Sequence, residues 1–191
     1  MSRPIVWLAR HGETEWSRNG RHTGRTEIPL TPKGEGQARA LAPALAGIDF
    51  DLVLCSPLGR ARETCELAGL GDRVELREGL LEWDYGDYEG ITSKEIHEST
   101  PDWLLWRDGC PNGESPEGIG ERVDFIIREL MATDGTAAVF AHGHVLRVLT
   151  ARWLGLEPAC GRLFALGTGT LSRLDWEHDY RVIASWNAPV A

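Results

Sequence analysis

Pro4-Ile5-Val6-Trp7-Leu8-Ala9-Arg10-His11-Gly12-Glu13-Thr14 runs from a continuous apolar segment straight into an arginine and a histidine. An unbroken apolar run of this length, without polar alternation, is the pattern of a strand covered on both faces by helices. The pattern returns in TAAVFA, residues 136–141, which runs into His142-Gly143-His144. It returns again in DLVLC, residues 51–55, which runs into Ser56-Pro57 and then Arg60 and Arg62. Three strand ends therefore carry cations or imidazoles.

The segments between these strands read as helices. Thr31-Pro32 has the form of an N-cap followed by proline at the first helical position. Behind it, Ala38, Leu41, Ala42 and Leu45 share one face, with Gly47 as a stop. A helix is predicted through LGRARETCELAGL, a short strand around residues 74–76, and a helix opened by the capping-box pair Thr92 and Glu95. Residues 101–106 read as the first turns of another helix, and Asn112-Gly113 as a turn. Ile119, Val123, Ile126, Ile127 and Leu130 form an amphipathic stripe that Asp134-Gly135 closes, and VLRVLTARWLGL is an apolar helix. RLFALGTGTLSRLDW and RVIASW alternate weakly, as two or three strands around the polar EHDY turn. Residues 13–29 show no period and read as a long, function-bearing loop. Strands alternating with helices predict an α/β protein, a three-layer α/β/α sandwich around a mainly parallel mixed sheet.

At 191 residues the chain is sized for one domain, residues 1–191, whose core needs neither disulfide nor metal staple. It is 42% hydrophobic and 26% charged, ordinary for a soluble protein, and no run is long enough to span a bilayer, so no membrane is expected as a partner. The first apolar run is too short and too soon interrupted for a secretory signal. Cys55, Cys65, Cys110 and Cys160 show neither metal-site nor disulfide-scaffold spacing, so a cytoplasmic setting is the expectation. The formal charge of −9 argues against a nucleic-acid partner. Any anion site must be built locally against that charge.

Open α/β sheets bind ligands outside the carboxyl ends of their strands. If the first and fourth apolar segments lie parallel and close, His11 and His142 share that rim with Arg10. Arg60 and Arg62 both arrive at the same edge, and spacing alone leaves open which of them is used. Arginine offers forked donors to phosphate oxygens, so two histidines among arginines suit a dianionic phosphoryl group. A helix starting near Pro57 would add free N–H groups. Metal is the competing use of histidine, but a zinc site takes three ligands and rim arginines would repel the cation, so no metal is expected. A neutral histidine beside arginines is a credible nucleophile, because neighbouring positive charge disfavours the imidazolium. The matching proton source is a carboxyl group with partial burial. Within LLEWDYGDYEG, residues 80–90, Glu82 has the most apolar company, between Leu81 and Trp83; the competing reading is a surface glutamate shielded by its tryptophan.

Residues 10–14 resemble the signature of the histidine phosphatase superfamily, in its phosphoglycerate mutase-like branch. The likeness extends through ETEWSRNGRHTGRTEIPLTPKG, CSPLGRARET, LLEWDYGDYEG, NGES and AHGHVLR, nearly the whole chain. It implies a phosphoglycerate mutase-like fold and a phosphomonoester hydrolase that acts on small organic phosphates through a phosphohistidine. In that account His11 attacks phosphorus, Arg10, Arg60 and His142 hold the equatorial oxygens, and Glu82 protonates the leaving oxygen and then activates water. The resemblance thus selects Arg60 over Arg62. Ser17, Thr23, Gly24, Tyr85 and Gly143 match substrate-binding positions, with Ser17 standing where many members have Asn. Glu13 reads as a structural carboxylate. The implied partner is a small phosphorylated metabolite, no cofactor is implied, and a homodimer is left open because related folds often pair through edge strands or helices.

The alternative within the family is a cofactor-dependent phosphoglycerate mutase. The full-length mutases carry an adjacent arginine pair after the acid motif, whereas GITSKEIHESTPDWLLWRDGCPNGES offers only Lys94 and Arg107. This favours a phosphatase, and RHTG, LEWDYG and PDWLLWRDGCPNGES look most like small bacterial acid phosphatases and sugar-bisphosphate phosphatases. Trp83, Trp103 and Trp106 either line the entrance or pack on the short helices. A catalytically silent phosphate-binding relative would show damage to nucleophile, clamp or acid, and the sequence has none.

Overall fold

Alternate residues of the central strands face two different cores, and this builds the layers. In a computed structural model, which describes residues 3–190, the first strand β1 is Ile5–Arg10. Val6 and Leu8 point into one apolar cluster and Ala9 into another. The period-2 geometry of a strand divides them so. The remaining strands are β2 (Leu52–Cys55), β3 (Val74–Leu76), β4 (Thr136–Ala141), β5 (Thr170–Glu177) and β6 (Tyr180–Pro189). They form one sheet in the order β3-β2-β4-β1-β5-β6. The first four named in that order run parallel; β5 is antiparallel to β1 and β6 to β5.

The long helices are α2 (Pro32–Leu45), α3 (Gly59–Leu67), α6 (Pro116–Ala132) and α7 (Gly143–Trp153). Leu41 and Leu45 of α2 and Ala61 and Cys65 of α3 pack on Val53, Ala138 and Phe140. On the opposite face, Ile119, Val123 and Ile127 of α6 and Val145, Leu146 and Leu149 of α7 pack on Leu54, Ala137 and Val139. The expected α/β/α sandwich with a mainly parallel mixed sheet is therefore the fold. No helix among the described residues is long and apolar enough to cross a membrane.

Three local expectations need correction. Residues 13–29 are not wholly irregular: α1 (Glu15–Asn19) interrupts them, opened by a reciprocal capping box between Thr14 and Ser17. That Thr-x-x-Ser pattern carried the signal, in place of the usual Thr-x-x-Glu. α4 (Ser93–Ser99) has the predicted Thr92–Glu95 box. The helix expected from residue 101 begins instead at residue 105 and is a single turn, α5 (Leu105–Asp108). Pro101 and Asp102 form a turn, and Trp103 is drawn into the core. At the C-terminal end RLFAL is not a strand; Pro158–Leu163 is a 3-10 helix, leaving only β5 and β6.

The register of the sheet fixes the site. β1 pairs with β4 so that Arg10 stands opposite Ala141, and β2 with β4 so that Cys55 stands opposite Phe140. His11 N–H donates to Ala141 O, and Ser56 N–H to Phe140 O. The three strand ends finish level with one another.

Candidate active site

His11 leaves β1 with its imidazole 5% exposed and its ring centroid 5.1 Å from that of His142. Its Nδ1 lies 2.7 Å from Gly12 O. A carbonyl oxygen only accepts, so Nδ1 carries the proton and Nε2 presents a lone pair. Burial, first, and then Arg60 and Arg10 hold the His11 pKa well below the ordinary imidazole value, so the ring is neutral. The turn after it is fixed from both sides. Gly12 N–H donates to Thr64 Oγ1 of α3, and Thr31 N–H donates to Glu13 O. Glu13 also takes the Lys33 ammonium at 2.9 Å and the Thr31 hydroxyl at 3.1 Å, the structural part expected of it.

Arg10 turns its guanidinium to the same point. Its Nη1 donates to Leu166 O, while its Nε is buried without a partner. Gly143 packs closely beside it, and a Cβ there would stand 3.2 Å from Arg10 Cζ and press on the guanidinium. Arg60 is 1% exposed and Arg62 is exposed, so the structure brings Arg60 and not Arg62 to the rim. Four of the five N–H groups of Arg60 are held: Nη1 by Thr26 O, Nη2 by Thr23 O and Gly24 O, and Nε by His142 Nδ1. His142 therefore accepts at Nδ1 and carries its proton on Nε2, which donates to Ser56 Oγ at 2.7 Å. Burial, then Arg60 and His11, keep its pKa well below the ordinary value.

Glu82 is 4% exposed, as partial burial required, but its surroundings are polar rather than apolar. Its Oε1 accepts from Trp83 N–H and Val145 N–H, and its Oε2 from His144 N–H, each at 2.9 Å. The last two donors are free N–H groups at the start of α7, whose N-cap His142 makes no side-chain capping bond. A carboxylate from a distant loop thus caps the helix. The helix end expected to face the anion, that of α3, is occupied instead: Gly59 N–H donates to the Glu27 carboxylate.

These groups surround a pocket of about 190 Å³ whose walls include Arg10, His11, Ser17, Thr23, Glu82, Tyr85 and Gly143. Arg60 and His142 lie behind that wall, packed against His11, rather than on it. Two further expectations shift. Ser17 lines the pocket, but its hydroxyl accepts from Thr14 N–H and donates to Thr14 O, so it caps α1. Gly24 is absent from the wall; its carbonyl orients Arg60, and its N–H donates to Glu89, whose carboxylate also takes Thr26 N–H. Trp83 and Trp103 are buried in the core rather than lining the entrance, and Trp106 is half-buried beside His144.

Sequence reasoning missed Gly20, Arg21, His22, His144, Arg147 and Leu166, which complete the wall. The signal for the α7 pair was positional. Arg147 follows Gly143 by four residues and shares its face, and His144 is the next residue round the first turn of α7. His144 is half-buried and neutral, with its pKa lowered by desolvation and by Arg147. Its Nδ1 lies 2.6 Å from the Tyr85 hydroxyl, which is held protonated by burial. Neither Lys94 nor Arg107, the two cations of the short segment after the acid motif, reaches the pocket; Arg107 pairs with Asp108 on the surface.

The model of the histidine phosphatase superfamily (branch 1) matches residues 6–189. An acid phosphatase of Mycobacterium tuberculosis is 44% identical over 183 residues, covering 93% of this chain and 89% of the relative. A sedoheptulose 1,7-bisphosphatase of Saccharomyces cerevisiae is 39% identical over 185 residues, covering 80% and 68%. A solved structure of an open reading frame from Mycobacterium tuberculosis superimposes with a TM-score of 0.92 at 40% identity, over 98% of this chain and 99% of that one.

Proposed function

The chain belongs to branch 1 of the histidine phosphatase superfamily, and from that premise we propose how its own residues divide the hydrolysis of a phosphomonoester. His11 is the nucleophile. Its Nε2 lone pair attacks phosphorus, the bond from phosphorus to the ester oxygen breaks, and a phosphohistidine forms. Arg10, on the wall with an unpartnered Nε, receives the phosphoryl oxygens, and Arg60, behind His11 with one N–H to spare, adds its positive charge from the second layer. His142, with both ring nitrogens bonded to Arg60 and Ser56, fixes Arg60 through Nδ1 instead of holding a phosphoryl oxygen itself.

Glu82 gives the leaving oxygen its proton. Both lone-pair sites of Oε1 are filled by N–H donors, whereas Oε2 accepts only one, so Oε2 has the free position for that proton. In the second half-reaction Glu82 takes a proton from water, the resulting hydroxide attacks phosphorus, the P–N bond breaks, and inorganic phosphate leaves. Substrates are small organic phosphates, in keeping with the size of the pocket. Four free thiols, three of them buried, suit a reducing cytoplasm.

The observation that carries this reading is the fixed tautomer of His11, neutral among arginines with Nε2 free. Rapid acid-sparing quench with a ³²P-labelled monoester is expected to trap label on His11. His11→Ala is expected to lose both the label and more than 10³-fold of kcat, the scale of removing a covalent step. Label retained by that variant would put the nucleophile elsewhere.

A further inference from the structure

The pocket carries more positive charge than one phosphoryl group requires. Its walls hold Arg10, Arg21 and Arg147 against a single carboxylate, Glu82. This happens in a chain with 29 acidic and 20 basic side chains. Elsewhere most arginines are neutralised: Arg77, Arg122 and Arg152 each hold a glutamate or aspartate within 2.8 Å. Neither Arg21 nor Arg147 has an ion pair among the described residues. Arg21 donates to Gly90 O, and Arg147 to Gly161 O at 3.0 Å and Arg162 O at 3.3 Å. Carbonyl dipoles orient a guanidinium without cancelling its charge.

Arg147 is also held rigidly. Its Cζ lies 4.6 Å over the Trp106 ring, and its Nε is fixed by Gly161. Three of its N–H groups are left without a protein partner among these bonds. Its place on α7 sets the distance scale. Gly143 packs on Arg10, and Arg147 follows one helical turn later on the same face, about 6 Å along the axis. Arg10, His11 and Arg60 already account for the phosphoryl group.

Resting on the hydrolase reading above, we propose that Arg147, with Arg21 across the wall, forms a second anion subsite, so that preferred substrates are phosphomonoesters whose alcohol carries its own phosphate or carboxylate. The second anion occupies the leaving-group side, one helical turn along α7 from the phosphoryl group being transferred. The subsite replaces by other elements the cations that the short segment 90–115 does not deliver to the pocket.

Two matched pairs of esters test this. 3-Phosphoglycerate and glycerol 3-phosphate differ by a carboxylate; propane-1,3-diol bisphosphate and 3-hydroxypropyl phosphate differ by a phosphate. The diacid of at least one pair is expected to be favoured at least tenfold in kcat/KM, mainly through KM, and the pair that responds identifies the anion. Arg147→Met, which keeps a side chain over Trp106, should collapse that ratio at least fivefold, and Arg147→Lys should restore part of it. Ratios near unity in both pairs, or a ratio unchanged in Arg147→Met, would overturn the subsite and leave Arg147 a strut between α7 and the 3-10 helix. Absence of turnover on all four esters is the separate failure of the hydrolase reading. Calorimetric binding of the same pairs to His11→Ala still reads the subsite then, with equal Kd values within each pair overturning it.

Discussion

His142 illustrates how much of the chemistry rests on single hydrogen bonds. Its Nδ1 is committed to Arg60, so its Nε2 proton must go somewhere, and the buried Ser56 hydroxyl is the acceptor at 2.7 Å. Ser56→Ala removes that acceptor at a fully buried position and leaves the N–H orphaned. The expected cost is about 1–3 kcal/mol of unfolding free energy, read by urea titration. A loss below about 0.5 kcal/mol would mean that His142 keeps its proton on another partner. At this scale the sequence was partly legible. A histidine or arginine at a strand end announces itself by contrast with the apolar run before it, which is why Arg10, His11 and His142 stood out. Arg60 and Arg62 lie two residues apart at the start of one helix, and spacing does not say which faces inward. Ser17 shows the opposite limit: whether a hydroxyl faces substrate or caps its own helix is settled by local backbone geometry.

Between α2 and the His11 turn, the elements touch backbone to backbone. A Cβ on Gly34, in the first turn of α2, would stand 2.1 Å from Glu13 O, and one on Gly12 would stand 2.2 Å from Gly34 O. Two residues along the same helix, a Cβ on Gly36 would meet nothing within 4 Å. This gives an internal control. Gly34→Ala must push the turn that carries His11, costing about 1–3 kcal/mol of stability in the manner of overpacking. It should also lower kcat/KM at least tenfold. Gly36→Ala, in an open helical position, should raise stability by about 0.5–1 kcal/mol and leave kcat/KM unchanged. Parallel urea melts and steady-state assays decide it, and equal behaviour of the two variants would refute the packing argument. The elements themselves were legible where period and caps agreed, as in α2, α6 and β4. The short helix α1 was not, and α5 was expected four residues too early, because four or five residues carry too little periodicity to register. The loop at residues 20–27 was visible only as a lack of pattern, and its task emerges from long-range bonds: Glu89 holds Gly24 and Thr26, whose neighbouring carbonyls hold Arg60.

For the molecule as a whole, gathering neutral histidines around arginines couples the site to global stability. His11 and His142 are buried and His144 is half-buried, all three with pKa values well below the ordinary imidazole value, through desolvation first and then through Arg60 for His11 and His142 and Arg147 for His144. In the unfolded chain each titrates near about 6.5. Below that pH the unfolded state binds protons that the folded state refuses, so stability is fully present above about 6.5 and is lost as pH falls. Each such group contributes a slope of about 1.4 kcal/mol per pH unit, hence about 4 kcal/mol per unit for three once the unfolded imidazoles are fully charged. The carboxylates whose pKa values are lowered, among them Glu13, Glu114 and Asp108, act in the same direction only below about pH 4.5, so histidine dominates the window from about 6.5 to 4.5. The nucleophile follows the folded pKa instead: His11, held well below the ordinary imidazole value, keeps its lone pair as pH falls below about 6.5. The protein is therefore expected to retain initial rates at pH 5.5 while unfolding at lower urea than at pH 7.5. His144→Asn should flatten the dependence of the urea midpoint on pH by about a third. A midpoint independent of pH between 7.5 and 5.5 would mean that the folded chain takes up as many protons there as the unfolded one, and that these rings are not held neutral by the fold.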